Sequence, residues 1–500
     1  MVSKDVAIPC GIALVTYIFI GLWARRRRLP KPPGPSFKEI DPKALATLPW
    51  KVFHQWSLKY GPLISWTMFG KTTVVINSAK VVQDLLEARS AIYSDRPLNI
   101  MGGVLAQRKD IVFSISSQHP RFKMYRRLMN GGLSPKVALD YRSIQLEELH
   151  RFMRAIERTP EKFKQEVKRN ACAVIMKVTY GYELGGYEDE FVKIIEDGFD
   201  LFVKLQAPGR WWVEFFPWLR FVPAWFPGAY FKKFALESGR TLRRVDEKPY
   251  KWARAQIDSG KHIESFISKQ LEEETPYIPK ELKEDVLKWV SAALYAGGAD
   301  TTVSAFTTLF YVMQLHPEVQ KKAQQEIESV TGGHRLPTFD DYDSLPYVRA
   351  VIKEILRWGT VAPFGLPHSV IQDDVYEGYL IPKGSKVISN IWAIVHDPEL
   401  YPEPFEFDPE RHLGENPQPD PFKYVWGFGR RTCPGAHLAQ MSLFINISNV
   451  LAVFDISRAV DADGKQVEPP QLWTTSVTSH LEGFPCQIKV RSPDLLATIP

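Results

Sequence analysis

One ten-residue segment, WGFGRRTCPG at 426–435, constrains the fold of this chain more than any other. Cys433 is one of only 4 cysteines in 500 residues, and a lone cysteine is most often a small buried apolar side chain. The neighbouring glycines, however, let the backbone approach another group closely. Arg430 and Arg431 offer guanidinium forks that suit carboxylates. This combination predicts a binding loop rather than a core position.

The residues after Cys433 predict a helix, because GAHLAQMSLFINISNVLAVF keeps apolar side chains at helical spacing. Cys433 then lies just before a helix N-terminus, where backbone amides and the helix dipole stabilise a thiolate. A thiolate, carboxylate-binding arginines and a flat approach surface together suit haem. The sulfur would be the axial ligand and the propionates would lie on arginine.

The whole chain is long and apolar enough for a large core, with 45% hydrophobic residues. No internal linker or fixed-period repeat divides residues 50–490, so one large globular unit is the preferred interpretation. The net charge of +6 owes much to Arg25–Arg28 and does not indicate nucleic-acid binding. The cysteines lie far apart without zinc spacing, which argues against a disulfide framework and for a reducing compartment.

The N-terminal region predicts a membrane anchor. Val6–Ala24 reads VAIPCGIALVTYIFIGLWA, 19 residues without a charge, and a helix of this length nearly spans a bilayer core about 30 Å thick. Because arginine clusters stay cytosolic, residues 1–28 are interpreted as an anchor and basic stop with a lumenal N-terminus. A cleaved signal peptide is the alternative, but it needs positive charge before the apolar run. Residues 29–35, LPKPPGP, predict a semi-rigid hinge.

The body, residues 36–500, is predicted to be mostly α, in an α+β fold. Residues 135–335 are almost entirely helical in pattern, whereas PLISWTMFGKTTVVINS and DDVYEGYLIPKGSKVISN predict strands. One interruption, APGRWWVEFFPWLRFVPAWFPGAYF at 207–231, sets aromatic residues among prolines that forbid a continuous helix. These aromatic side chains either contact a bilayer surface or a channel mouth, or belong to the core.

WGFGRRTCPG resembles the haem-binding signature of the cytochrome P-450 haem-thiolate monooxygenases, Phe-x-x-Gly-x-Arg-x-Cys-x-Gly. Gly429, Arg431, Cys433 and Gly435 match, while Trp426 stands where phenylalanine is usual. The resemblance implies that Cys433 is the axial ligand of the iron in haem b. It also implies that Trp426, Arg431 and Gly435 surround the cofactor, with Trp426 able to tune the iron.

A second pair of motifs has a structural role in this family. KEILRW carries Glu354 and Arg357, and FDPERHL supplies Arg411. A glutamate and an arginine three residues apart are, alone, a common surface ion pair. The resemblance implies instead that the three side chains lock together and hold the loop that leads to Cys433.

Two further positions resemble propionate contacts of the family. HPRFKMYRRL retains the arginine, Arg126, but has Phe122 where tryptophan is usual, and phenylalanine cannot donate a hydrogen bond. His368 in GLPHSV stands at the position of another propionate contact. The alternative for His368 is a satisfied surface histidine.

AGGADTT at 296–302 interrupts a long helical pattern with poor helix formers and polar residues. A helix packed closely at its glycines, with a solvated acid, is one interpretation. The resemblance implies another, in which Gly297 and Gly298 leave room for dioxygen. Thr301 then hydrogen-bonds the oxygen at the iron, and Asp300 relays protons from water.

The resemblance covers almost the whole chain and is closest to fungal microsomal members of the O-methylsterigmatocystin oxidoreductase type. SAIYSDRP, FVPAWFPGAYFKK, DSLPYV and GYLIPKG carry it. It implies a single-pass protein of the endoplasmic reticulum membrane with a cytosolic catalytic domain. It also implies a monooxygenase that receives electrons from NADPH through a separate NADPH–cytochrome P-450 reductase.

The expected substrate is an apolar fungal secondary metabolite, such as a terpenoid, a polyketide or an indole. We expect a largely apolar pocket, formed by residues around 101–113, 201–205, 294–301, 361–366 and 476–478. A haem-thiolate isomerase or dehydratase that does not use dioxygen is an alternative, and a non-catalytic haem sensor is another. The Asp300–Thr301 pair favours the monooxygenase.

Overall fold

The structure, a computed structural model, describes residues 29–186, 188–207 and 209–499. The predicted anchor at Val6–Ala24 and the basic stop at Arg25–Arg28 lie outside the described residues. Within the described residues the body has the predicted mostly α, α+β architecture. Its strands form one four-stranded sheet and three two-stranded sheets.

Helices make up most of the described chain, and several begin with proline, whose missing N–H costs nothing in a first turn. The α-helices are α1 (Pro42–Thr47), α2 (Pro49–Tyr60), α3 (Ala79–Val82), α4 (Ser90–Tyr93), α5 (Pro120–Gly132), α6 (Pro135–Ala138), α7 (Arg142–Arg158), α8 (Phe163–Tyr180), α9 (Glu190–Gln206), α10 (Trp212–Phe215), α11 (Tyr230–Asp258), α12 (Phe266–Glu272), α13 (Lys280–Leu315), α14 (Pro317–Thr331), α15 (Pro346–Trp358), α16 (Ile391–Val395), α17 (Phe422–Val425), α18 (Ala436–Val453) and α19 (Pro493–Ala497).

The strands are short, and five of the ten described strands lie in the two segments predicted to be strands. They are β1 (Leu63–Met68), β2 (Lys71–Ile76), β3 (His368–Ser369), β4 (Asp374–Tyr376), β5 (Tyr379–Ile381), β6 (Lys386–Ser389), β7 (Phe454–Ser457), β8 (Leu472–Trp473), β9 (Leu481–Glu482) and β10 (Gln487–Val490). β1 and β2 form an antiparallel hairpin whose turn has positive φ at Phe69 (48°) and Gly70 (79°), as a tight hairpin turn requires. The four-stranded sheet has the order β1-β2-β6-β3.

The largest core cluster lies where α7, α13, α14, α15 and α18 meet. α13 is its longest element, with 36 residues, and packs along α8. Among the described residues, α18 is the one helix long and apolar enough to cross a membrane, but 72% of that stretch is buried inside the protein. α18, which directly follows the Cys433 loop, is therefore a core helix.

The predicted hinge at 29–35 lies against strands β1 and β5, which belong to two different sheets. The carbonyl oxygen of Pro33 accepts from the Ser65 amide at 2.8 Å, and that of Pro30 accepts from the Leu380 amide at 2.7 Å. Lys31 Nζ donates to a strand hydroxyl, Thr67 Oγ1, at 2.9 Å. These hydrogen bonds therefore attach the proline-rich segment directly to strands of the body.

The aromatic segment at 207–231 divides into a buried and an exposed part. Trp211 is 6% exposed, stacks on Phe234 at a centroid distance of 5.4 Å and donates its indole N–H to the Lys204 carbonyl. The exposed aromatic side chains are Trp212, Trp218, Phe221, Trp225, Phe226 and Tyr230. Trp211 therefore belongs to the core, as one alternative expects, whereas bilayer or channel contact by the exposed side chains stays a prediction.

Candidate active site

The loop that carries Cys433 is shaped by tight backbone contacts. Gly429 has φ +54°, and a Cβ there would collide with the carbonyl oxygen of Leu86, so a glycine is required. The Cys433 amide donates to the Trp426 carbonyl at 2.8 Å, which folds the loop back on itself. Gly435 is the N-cap of α18, so the cysteine lies just before a helix N-terminus, as expected.

The Cys433 side chain is accessible at its surface, yet the surrounding protein shields it from much of the bulk water. Burial raises the pKa of the thiol above its usual value, against the opposing effects of the Gly435 amide and the positive charge of Arg126. A Cβ on Gly435 would lie 3.9 Å from the sulfur. Trp426, an aromatic residue of the same loop, packs edge-on against Phe422.

Arg431 points from the same loop towards the segment before α5. Its Nε donates to the Ser94 carbonyl at 2.9 Å and its Nη2 to the Ile115 carbonyl at 2.5 Å. Its guanidinium lies over the Phe122 ring, 4.3 Å from the centroid. Phe122 stands at the usual tryptophan position. It cannot donate a hydrogen bond, but its ring makes a cation–π contact with Arg431 instead.

A second arginine, which sequence reasoning missed, lies beside these residues. Arg96 donates from Nε to the Phe113 carbonyl at 3.0 Å and from Nη1 to the carbonyls of Leu366 and Pro367 at 2.6 and 2.8 Å. It stands in SAIYSDRP, which attracted notice only as a family-like segment. The sequence feature that could have drawn attention to Arg96 is its position between an aspartate and a proline.

His368 is buried on β3 and completes the group. Its Nδ1 lies 2.8 Å from the Tyr93 carbonyl, and because a carbonyl only accepts, Nδ1 carries the hydrogen. Nε2 donates only when the ring is protonated, which a negatively charged partner would favour. The surface-histidine alternative is therefore wrong, since His368 is 6% exposed.

These basic side chains perturb one another through space. Burial lowers the pKa of Arg431 to about 10, with Arg126 adding to the shift and Asp95 opposing it. Burial and the nearby Arg431 also hold the pKa of Arg96 well below its usual value. Burial and the charge of Arg96 lower the pKa of His368 to about 3.

Arg96, Arg126, Arg431 and His368 form what we call the basic cluster. Among the described residues, no carboxylate accepts a hydrogen bond from its partly buried arginines, and an opposite charge offsets the cost of withdrawing such groups from water. A ligand that brings carboxylates would supply the partners, and a metal in that ligand would bind the neighbouring Cys433 as a thiolate. The residues present therefore fit haem, which Cys433 would hold at its iron and the basic cluster would hold at its propionates.

The glycines of α13 do not share one role. A Cβ on Gly297 would meet only Phe113, at 3.8 Å, so this position borders open space. A Cβ on Gly298 would lie 2.7 Å from Ile175 Cγ1, so Gly298 serves the close packing of α13 on α8. The expectation that both glycines leave room for dioxygen is therefore wrong for Gly298. Thr301 is exposed on this helix and donates from Oγ1 to the Gly297 carbonyl at 2.7 Å.

Asp300 turns towards the C-terminal hairpin. Its Oδ1 lies 3.1 Å from Nε2 of His480. Burial acts to raise the pKa of Asp300, but hydrogen bonds from His480 and Thr478 and the charge of Lys168 outweigh it, so its pKa lies below the usual value. His480 was not singled out from the sequence, because no local motif links it to Asp300.

Glu354, Arg357, Arg411 and a fourth residue, His412, form what we call the glutamate cluster. Glu354 accepts from Arg357 Nη2 at 2.7 Å and from Arg411 Nε at 3.1 Å, and its Oε2 lies 2.9 Å from His412 Nε2. Burial raises the pKa of Glu354, but Arg357 and His412 outweigh this effect and hold it at about 2. Arg357 also donates to the Val395 and Pro404 carbonyls, which fixes the chain before the Cys433 loop.

A cavity of about 80 Å³ adjoins AGGADTT, with walls from residues 108–113, α9, α11 and α13. Its apolar lining includes Phe113, Phe202 and Ala296, in three of the expected ranges. It also includes one ion pair that the sequence did not indicate, between the nearly buried Arg108 and Asp246. Residues 361–366 and 476–478 do not line this cavity.

The chain matches known proteins along most of its length. The family model described as Cytochrome P450 matches residues 30–481. Cytochrome P450 monooxygenase 208 of Postia placenta is 40% identical over 490 residues, covering 96% of this chain and 94% of that protein. Cytochrome P450 monooxygenase claR of Ampulloclitocybe clavipes is 37% identical, covering 96% and 90%. Cytochrome P450 monooxygenase ppsD of Aspergillus oryzae is 37% identical, covering 94% and 92%.

The fold is also found among solved structures. A zebra fish cytochrome P450, in a structure with abiraterone, aligns with a TM-score of 0.71 over 89% of this chain and 100% of that chain. The sequence identity is 22%, so this likeness concerns the fold alone.

Proposed function

This chain belongs to the cytochrome P450 family and is an oxygen-incorporating haem monooxygenase, and we propose that its substrate is an apolar fungal secondary metabolite. Terpenoids, polyketides and indoles are the candidate classes. The observation that carries the proposal is the cavity beside Ala296, whose lining is apolar apart from one self-paired ion pair. A pocket of this kind binds its ligand mainly through burial of apolar surface.

Haem b would be held by Cys433 at the iron and by Arg96, Arg126, Arg431 and His368 at the propionates. When bound, it supplies electron transfer and the cleavage of dioxygen, which thiolate donation favours. Gly435 keeps the backbone close beside the sulfur, and the helix after it stabilises the thiolate. Trp426 would adjust the surroundings of the sulfur from within the loop.

Two residues of α13, Asp300 and Thr301, would transfer protons beside the apolar cavity. Thr301 presents a hydroxyl that both donates and accepts, and Asp300, with its lowered pKa, is ionised and ready to accept a proton from the solvent side. The glutamate cluster would act structurally, because its buried charges hold the segment leading to Cys433 and face no cavity residue.

The partners follow from the same family. Electrons would come from NADPH through a separate NADPH–cytochrome P-450 reductase. Residues 1–28 would anchor the chain in the endoplasmic reticulum membrane, with residues 36–500 as a cytosolic catalytic domain. The exposed aromatic side chains between Trp212 and Tyr230 would lie at the same bilayer surface, since such side chains favour the interface.

The test is a feeding experiment. The full chain is co-expressed with a fungal reductase in yeast, supplied with a panel of terpenoids, polyketides and indoles, and exposed to labelled dioxygen. We expect labelled product from one class, with a loss of about 100-fold in Thr301→Ala and near-normal product in the matched variant Thr302→Ala. Products without label would support an isomerase or dehydratase, and no product despite a normal carbon monoxide spectrum would refute the substrate classes.

A further inference from the structure

The contact between Asp300 and His480 links helix α13 to a histidine side chain near the surface. Asp300 Oδ1 and His480 Nε2 are 3.1 Å apart, and the side chains are 29% and 22% exposed. Water therefore reaches the pair without the pair being freely solvated. Neither the signature around Cys433 nor the AGGADTT motif contains this histidine.

The hairpin of β8 and β9 fixes the position of His480. Its amide donates to Thr474 Oγ1 at 2.9 Å, and its carbonyl accepts from the Thr474 amide at 2.9 Å. The Ser479 carbonyl accepts from Ser304 Oγ at 2.6 Å, and Ser304 lies one helical turn after Asp300 on α13. The histidine is thus anchored to the same helix that carries the acid.

The other charged and titratable groups that act on Asp300 come from α8. Lys168 contributes a positive charge, and burial raises the pKa of the Cys172 thiol to about 12, so that thiol stays neutral. Histidine is the side chain whose charge ordinarily changes between about pH 5 and 8. His480 is therefore the contact of Asp300 suited to pass protons during turnover near neutral pH.

We propose that His480 is a positioning residue that recharges Asp300 with protons during turnover. The imidazolium passes its Nε2 proton to Asp300 Oδ1, so that one N–H bond breaks and one O–H bond forms. Water then reprotonates the ring, and Asp300 releases its proton towards Thr301. No electrons move in these steps. The inference rests on the proposed monooxygenase function, because only that reaction consumes protons at this helix.

A purely structural ion pair is the competing explanation. Such a partly exposed pair contributes little to stability and would leave no mark on the pH dependence of turnover. The two explanations therefore differ in kinetics rather than in stability. Substitution by glutamine keeps a hydrogen-bond donor but cannot titrate, which separates them.

The experiment uses the full-chain holoenzyme with reductase and follows NADPH consumption and hydrogen peroxide release from about pH 5.5 to about pH 8.5, in water and deuterium oxide. In His480→Gln we expect consumption to fall about tenfold at the optimum, with loss of the alkaline limb of the profile, where the imidazolium would lose its proton, and a larger solvent isotope effect. His334→Gln, which changes an exposed histidine after α14, is the matched control and should match the unsubstituted protein.

A double variant tests whether the two residues act in one path. We expect Asp300→Asn/His480→Gln to be no slower than Asp300→Asn alone, whereas additive losses would overturn the inference. An unchanged pH profile and isotope effect in His480→Gln would also overturn it. The carbon monoxide spectrum and thermal midpoint verify folding, and His480→Asn replaces the glutamine variant if either is lost. NADPH consumption is measurable without labelled product, so failure of the substrate proposal remains distinguishable.

Discussion

The glutamate cluster and the basic cluster both gather arginine side chains away from much of the bulk water, but only the first contains its own carboxylate. Arg357 and Arg411 each donate directly to Glu354 and donate further to backbone carbonyls, and Arg411 also donates to Gln418 Oε1. In the basic cluster, Arg96 and Arg431 donate to backbone carbonyls, and Asp95 acts on them only through space. In the glutamate cluster the protein itself supplies the carboxylate that balances the arginines. In the basic cluster a bound ligand would have to supply it.

Removing the carboxylate from the complete cluster should have the largest effect. In Glu354→Gln, two buried arginines lose their counter-charge, so we expect the free energy of unfolding to fall by about 3–5 kcal/mol. Urea or thermal unfolding of the holoenzyme measures this. Glu410→Gln is the matched control, because Glu410 lies beside Arg411 but pairs at the surface with Lys322; it should cost at most about 1 kcal/mol.

The pH dependence of this difference provides an independent check. The pKa of Glu354 is lowered to about 2 in the folded chain and rises towards about 4.5 on unfolding. Its stabilising contribution is therefore fully present above about pH 4.5 and is lost as the pH falls towards about 2. The gap between the unsubstituted protein and Glu354→Gln should narrow over that window, and a constant gap would contradict the ion-pair account.

Removing a cation from the basic cluster should weaken ligand retention rather than the fold. In Arg126→Leu, we expect haem to dissociate about tenfold faster, since a charge-assisted contact to a propionate is worth about 1.5–3 kcal/mol. The haem-free protein should change by less than about 1 kcal/mol, because repulsion from Arg431 is also relieved. Transfer of haem to apomyoglobin measures the rate.

Arg127→Leu is the control for this prediction. Arg127 neighbours Arg126 on α5 but is exposed and lies over the Tyr277 ring, 4.0 Å from the centroid. It should retain haem normally. Equal haem loss in the two variants, or a collapse of the haem-free Arg126→Leu protein, would erase the distinction between the clusters.

The two glycines of α13 give a similar contrast in packing rather than in charge. We expect their substitution to have the smallest effect on the free energy of unfolding. Gly298→Ala forces a methyl group against Ile175, so we expect a net loss of about 1 kcal/mol after the gain in helix propensity. Gly297→Ala makes only an ordinary contact with Phe113 and should gain up to about 1 kcal/mol. Chemical unfolding of both variants measures the sign, and the same sign in both would contradict the assigned packing.

Local patterns in the sequence predicted the loop around Cys433, helix α18 and the strands β1, β2 and β4 to β6, because each depends on neighbouring residues. Arg96 and His480 could not be predicted in the same way. Each acquires its meaning from a partner far away in the chain, such as Leu366 or Asp300. Gly297 and Gly298 were indistinguishable in sequence, since only the position of Ile175 across the helix pair separates them.

The attachment of Cys433 to a helix buried in the largest core has a consequence for divergence between relatives. Changes on the cysteine side disturb the packing of several helices at once, so few substitutions are tolerated there. Most of the cavity wall comes instead from α9, α11 and the 108–113 loop, outside that core, and α13 is the one described helix that belongs to both. New substrates can therefore be acquired by exchanging side chains in these walls, while the oxidising machinery is inherited unchanged.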